Sequence, residues 1–131
     1  MSDLVVGFVG LGNMGSALAA NLVEAGHAVV AHDAVGSAGA PEGAEYTDSV
    51  GDVARAADVV VFSLPDGAAS ESVARDVLAT SDRRVTHVVD TSTVGPHAAQ
   101  AIAALLGSAG IAYVDAPVSG GWPARGHGPS R

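Results

Sequence analysis

Apolar positions along the chain switch between two periods. Leu4–Val9 is a continuous apolar run of strand length, and Ala28–His32, Val59–Ser63, His87–Asp90 and Ala112–Asp115 repeat that valine-rich form. Between these runs the spacing changes to three and four. Met14, Leu18 and Leu22, with Ala17 and Ala25 beside them, predict a helix over Met14–Ala25 that Gly26 stops. A short helix is predicted over Ser49–Ala56, with Ser49 or Asp48 as its cap. After the turn residues Pro65-Asp66-Gly67, Val73, Val77 and Leu78 predict a helix over Ser70–Ala79. Ala98, Ile102, Leu105, Leu106 and Ala109 share one face of a helix over Pro96–Ala109, with Pro96 in its first turn and Gly110 just past its end. Gly36–Gly43 is rich in Gly, Ala and Pro and reads as a loop. The order β-α-β-(α)-β-α-β-α-β predicts an α/β fold, a doubly wound parallel sheet with right-handed crossovers and helices on both faces.

The join between the first strand and the first helix carries the strongest chemical signal. Val5–Gly15 reads VVGFVGLGNMG, so a buried strand runs into Gly10, Gly12 and Gly15 at the mouth of a helix. That is the sequence form of a dinucleotide-binding turn. Gly10 permits the tight turn, Gly12 lets a pyrophosphate approach the backbone, and Gly15 lets the helix pack close to the strand. The phosphates then meet unpaired N–H groups and the positive end of the helix dipole. Asp33 ends the second strand roughly 20 residues beyond Gly10, the offset at which an acidic side chain accepts hydrogen bonds from the adenosine ribose. A carboxylate there repels a 2′-phosphate, and the next basic residue is as far off as Arg55, so NAD is favoured over NADP. A solvated aspartate at a strand end is the plain alternative.

Three further loops follow strand ends: Ser63-Leu64-Pro65-Asp66, Asp90-Thr91-Ser92-Thr93 and Asp115-Ala116-Pro117-Val118-Ser119-Gly120-Gly121. In an open α/β sheet ligands lie at these ends. Their small hydroxyl residues and glycines suit a groove for a flat cofactor, although loops are polar in any case.

Composition narrows the rest. At 131 residues one domain is expected, and with 48% hydrophobic but only 4% aromatic residues its core must be built from Val, Leu and Ala. Cysteine is absent, and a net charge of −8 argues against nucleic acid or an anionic membrane as partner. No apolar run reaches the ~18 residues of a membrane span, and Met1-Ser2-Asp3 lacks a basic signal-peptide start, so a cytoplasmic location is expected. His27, His32, His87, His97 and His127 show no metal-ligand spacing and read as surface or strand-end residues, with no metal site expected. The basic residues are all arginine; there is no lysine.

With these residues in view, the chain resembles the β-hydroxyacid dehydrogenases, the group that contains 3-hydroxyisobutyrate dehydrogenase. Gly10-Leu11-Gly12-Asn13-Met14-Gly15 match the family's glycine signature, as do Ala19, Asn21, Leu22 and Gly26, while Leu18 replaces its usual methionine and Glu24 stands where lysine is common. Leu64-Pro65 resembles the family's pair at the cofactor. Asp90-Thr91-Ser92-Thr93 resembles its D-x-S-T loop, which implies that Thr93 contacts the nicotinamide side. Asp115–Gly121 resembles its D-A-P-V-S-G-G segment, which implies that Ser119, Gly120 and Gly121 hold a substrate carboxylate; it argues against other reductases that share the glycine turn, such as imine reductases. The resemblance implies a Rossmann-type domain over residues 1–121, NAD(P) binding, and hydride transfer from a small 3-hydroxy acid.

After Trp122 the resemblance stops. The family's general-base lysine, on a G-x-G-x-x-x-K-x-x-N helix, and its all-helical C-terminal domain have no counterpart here, so no catalytic residue is assigned. Residues 122–131 are expected to form a flexible tail. A truncated or frame-shifted product, or a cloned fragment, fits these residues. Such a chain is expected to bind cofactor without appreciable turnover. The alternative is a non-catalytic module that senses NAD or docks on a partner. The outward side of the 96–109 helix, with Ala101, Ala103 and Ala104, makes self-association a possibility of either reading.

Overall fold

A computed structural model describes residues 4–117. Six strands form one parallel sheet: β1 (Val5–Val9), β2 (Ala28–His32), β3 (Glu45–Tyr46), β4 (Val59–Phe62), β5 (His87–Asp90) and β6 (Ala112–Asp115). Their spatial order is β3-β2-β1-β4-β5-β6. The chain leaves β1 in one direction to build β2 and β3, then returns to the other side of β1 for β4, β5 and β6. The crevice at the β1/β4 boundary is therefore the topological switch point at which such sheets bind ligands.

Four helices join the strands: α1 (Asn13–Glu24), α2 (Val50–Ala56), α3 (Gly67–Leu78) and α4 (Gly95–Gly107). Alternation along β1 explains the two layers. Val6 and Phe8 face α1 with Ala19, Val29 and Ala31, and partly buried Leu18 and Leu22 close that side. Val9 points the other way and joins Val53, Val60, Phe62, Ala74, Val77, Val88, Ile102 and Leu106, the core under α2, α3 and α4. The doubly wound sheet expected from the pattern is the one formed. On α4, Ile102 and Leu106 are buried while Ala101, Ala103 and Ala104 lie exposed, as the helical spacing predicts.

Apart from shifts of one or two residues at other element ends and a short 3-10 turn over Ser37–Gly39, two details differ from the sequence pattern. α3 begins at Gly67 rather than Ser70, because Asp66 in extended conformation caps it: Ala69 N–H donates to Asp66 Oδ1 at 2.9 Å. The Pro65-Asp66-Gly67 run is a helix entrance as well as a strand exit. The short edge strand β3 is also unanticipated, since two residues have no period to detect. Of the two caps considered for α2, Ser49 is used, accepting from Asp52 N–H at 3.1 Å. The tail over 122–131, like Ser119, Gly120 and Gly121, lies outside the described residues.

Candidate functional site

Parallel register sets the strand ends in one row. His32 pairs with Val9, Val9 with Phe62, Phe62 with Asp90 and Asp90 with Asp115. Every loop singled out above leaves from this row, so the sheet brings them to one edge. On that edge Val9, Gly10, His32, Asp33, Val35, Val50, Leu64 and Pro65 line a cleft of about 470 Å³. Its far wall is one side of α3, where Ala69, Ser72, Val73 and Asp76 recur at helical spacing.

The three glycines have different surroundings. Gly10 has φ +101°, and a Cβ on it would run into the Ser63 carbonyl. Gly15 is packed against the turn itself, where a Cβ would collide with the Gly10 carbonyl. A Cβ on Gly12, by contrast, would meet nothing within 4 Å. Gly12 is the N-cap of α1, with φ −71° and no side chain capping the helix. Thus fold constraints account for Gly10 and Gly15 but not for Gly12. The space there is open, in front of a helix N-terminus whose N–H groups and dipole suit an anion.

Asp33 ties this turn to β2. Its Oδ2 accepts the Leu11 N–H at 2.8 Å, and its Oδ1 faces the Val35 N–H at 3.3 Å. Its own carbonyl accepts the Tyr46 hydroxyl at 2.8 Å, so β3 fixes the backbone from which the carboxylate projects. His32 stacks on Tyr46 at 6.0 Å between ring centroids, with Nδ1 3.0 Å from the Thr47 carbonyl. A carbonyl can only accept, so the imidazole carries a proton on Nδ1. Tyr46 and His32 were not legible as site residues; an aromatic directly before Thr47-Asp48 was the only available signal.

Charge around the cleft is one-sided. Asp33 and Asp76 line it, and no arginine does among the described residues. Arg55 pairs with Asp52, Arg75 with Glu71 and Arg84 with Asp58, while Arg83 donates to the Leu78 and Thr80 carbonyls. The residues present fit a dinucleotide: an open helix N-terminus, a carboxylate beside it and an apolar cleft next to both. Among the described residues, no group of three or more His, Asp or Glu is arranged to hold a metal, and no helix is long and apolar enough to cross a membrane.

The other expected residues fall into two groups. Leu64 and Pro65 line the cleft opposite Gly10. Thr93 is exposed in the β5–α4 loop and is not part of the cleft wall, and Gly12 and Asn13 are exposed at the start of α1. Asp66 and Asp90 have structural roles. Asp66 caps α3, and Asp90 is fully buried, accepting the Ser92 N–H at 3.0 Å and the Tyr113 hydroxyl at 2.8 Å. Burial and the adjacent Asp90 push the Tyr113 hydroxyl well above its usual range, so it remains a donor.

Comparison with known proteins agrees with this geometry. The model of the NAD binding domain of 6-phosphogluconate dehydrogenase matches residues 5–130. A probable 3-hydroxyisobutyrate dehydrogenase of Mycobacterium tuberculosis (strain ATCC 25618 / H37Rv) is 40% identical over 119 residues, covering 88% of this chain and 40% of that protein. The mitochondrial 3-hydroxyisobutyrate dehydrogenase of Drosophila melanogaster is 34% identical over 121 residues, covering 90% of this chain and 37% of its own length. Among solved structures, Mycobacterium tuberculosis 3-hydroxyisobutyrate dehydrogenase with L-serine superposes with a TM-score of 0.81 at 37% identity, over 89% of this chain and 41% of that one. An imine reductase from Myxococcus stipitatus in complex with NADP+, 22% identical with a TM-score of 0.72 over 83% of this chain and 39% of its own, shares the fold. The chain spans about two fifths of the length of the curated relatives it matches.

Proposed function

The chain belongs to the family of NAD binding domains described for 6-phosphogluconate dehydrogenase, and on that premise we propose that it holds the dinucleotide of a 3-hydroxyisobutyrate-like hydroxyacid dehydrogenase. One observation carries the reading: Gly12 faces open space at the start of α1, while Asp33 Oδ2 holds the adjacent Leu11 N–H at 2.8 Å. In this reading Gly10, Leu11, Gly12, Asn13, Met14 and Gly15 form the pyrophosphate turn. Asp33 takes the adenosine ribose, Leu64 and Pro65 form the opposite wall, and Thr93 lies toward the nicotinamide. Ser119, Gly120 and Gly121 are assigned the substrate carboxylate. When bound, the dinucleotide supplies the acceptor for hydride from the hydroxyl-bearing carbon.

The residues supply binding and orientation rather than proton transfer. Removing the hydroxyl proton needs a positioned base, and the 131 residues hold no lysine to act as the family's base does. The chain by itself is therefore expected to bind cofactor without appreciable turnover. NAD is favoured over NADP because a 2′-phosphate beside Asp33 would bring like charges together, with no cleft-lining arginine among the described residues to offset them.

The test is a fluorescence titration of the chain with NADH and with NADPH. NADH should bind at least about tenfold more tightly. Equal or tighter NADPH binding overturns the NAD preference, and no binding of either overturns the dinucleotide assignment.

A further inference from the structure

Asp90 is a buried acid that the cofactor reading does not use, and its hydrogen bonds lead to the cofactor cleft. It has no exposed surface, and both its oxygens accept from neutral donors, Ser92 N–H and the Tyr113 hydroxyl. Burying a carboxylate is costly even when it is hydrogen-bonded, and an apolar pair would fill the same space more cheaply. The Asp90 bond fixes the Ser92 backbone. Ser92 is 5% exposed, and its Oγ accepts the Leu64 N–H at 2.8 Å across 28 positions of sequence; the buried Ser70 hydroxyl lies 3.5 Å from the same oxygen.

Leu64 is where this network meets the site. Leu64 and Pro65 line the cleft facing Gly10, and a Cβ on Gly10 would lie 3.1 Å from Leu64 Cδ2. The Ser63 carbonyl occupies the space a Gly10 side chain would need, so the β4–α3 loop packs against the glycine turn, and a small shift of the adjoining Leu64 backbone changes the space between them. Pro65 has no N–H of its own, so the Leu64 N–H is the last backbone donor before the Asp66 cap. We propose that Ser92, oriented by Asp90, is a positioning residue for the dinucleotide: through the Leu64 N–H it sets the width of the cleft between the glycine turn and the Leu64-Pro65 wall. The inference rests on the dinucleotide reading above.

Two variants test it. Ser92→Ala removes the acceptor, whereas Ser92→Thr keeps a hydroxyl. NADH affinity is measured by fluorescence well below each variant's thermal midpoint, with amide hydrogen exchange at Leu64 followed in parallel. Ser92→Ala should weaken NADH about three- to tenfold, the equivalent of one net hydrogen bond. It should also speed Leu64 exchange, and Ser92→Thr should restore both. Leu64 exchange reports the bond even where Ser92→Ala lowers stability, and Tyr113→Phe, which loosens Asp90 from farther out, should weaken NADH in the same direction. If Ser92→Ala speeds Leu64 exchange but binds NADH as the parent chain does, Ser92 only supports the fold and the proposal is overturned. If Ser92→Thr behaves like Ser92→Ala, the hydroxyl is not the cause and the proposal is equally overturned. A parent chain that fails to bind NADH instead removes the dinucleotide reading on which the inference stands.

Discussion

Gly12→Ala separates the ligand role of the glycine turn from its folding role. The backbone at Gly12 (φ −71°, ψ −166°) is open to any L-residue, and the added methyl meets nothing within 4 Å. Its folding cost is then limited to the weaker N-cap preference of alanine, about 1 kcal/mol. In the proposed complex the same methyl stands where a pyrophosphate would approach the start of α1. Loss of one charge-assisted hydrogen bond there costs about 1.5–3 kcal/mol, or roughly 10- to 150-fold in affinity. Gly15→Ala is the opposite case. Its methyl is driven into the Gly10 carbonyl and lies 3.1 Å from Ser63 Cβ. Overpacking of that kind costs about 1–3 kcal/mol, only partly offset by the roughly 1 kcal/mol that alanine gains over glycine within a helix. NADH titration and thermal denaturation of both variants provide the comparison. Gly12→Ala should lower the thermal midpoint by no more than about 3–6 °C, the equivalent of about 1 kcal/mol in a domain of this size, and lose affinity out of proportion to that change, whereas Gly15→Ala should lose stability through displacement of the turn. A folded Gly12→Ala chain that binds NADH within about twofold of the parent refutes the reasoning, because one lost phosphate bond alone exceeds that margin.

Asp33→Ala removes the acceptor of the Leu11 N–H along with the proposed ribose ligand, so NADH affinity should fall at least about tenfold and the proposed NADH-over-NADPH preference should narrow in competition titrations. Asp66→Ala uncaps α3 and should lower unfolding free energy by about 1 kcal/mol in urea, with an unchanged m-value. Asp58 accepts the Val5 N–H at 3.0 Å and Arg84 Nε at 2.7 Å. The Val5 bond, and after it Arg84, hold its carboxyl below the usual 3.8. A folded-state value below the unfolded one means stabilisation that is full above pH 3.8 and lost as pH falls through the lower folded value. Acid titration followed by circular dichroism should therefore show a shallower loss of stability below that pH for Asp58→Asn than for the parent.

What the sequence made legible depends on whether the interacting positions fall at a recognisable spacing. Gly10, Gly12 and Gly15 stand at a known spacing at the mouth of a helix, so the sequence announces the turn even though part of what crowds Gly10 is the distant Ser63 carbonyl, and the offset of Asp33 from Gly10 points to the carboxylate. The dual role of Asp66 was hidden for a different reason: the residues that end a strand are the same short polar residues that cap a helix, and composition cannot separate the two. β3 has only two residues, yet Tyr46 on it holds the Asp33 backbone; no periodicity exists at that length. Asp90 is the sharpest case. Read in sequence, it is a polar residue at a strand end, much like Asp33. Its partner Tyr113 lies 23 positions away, and Ser92 reaches Leu64 across 28. Only the pairing of β5 with both β4 and β6 brings these residues together. One of the two strand-end aspartates therefore lines the cleft and the other is fully buried away from it. The difference comes from their places in the sheet: β2 has only the two-residue β3 beyond it, whereas β5 lies between two strands under the α3/α4 layer.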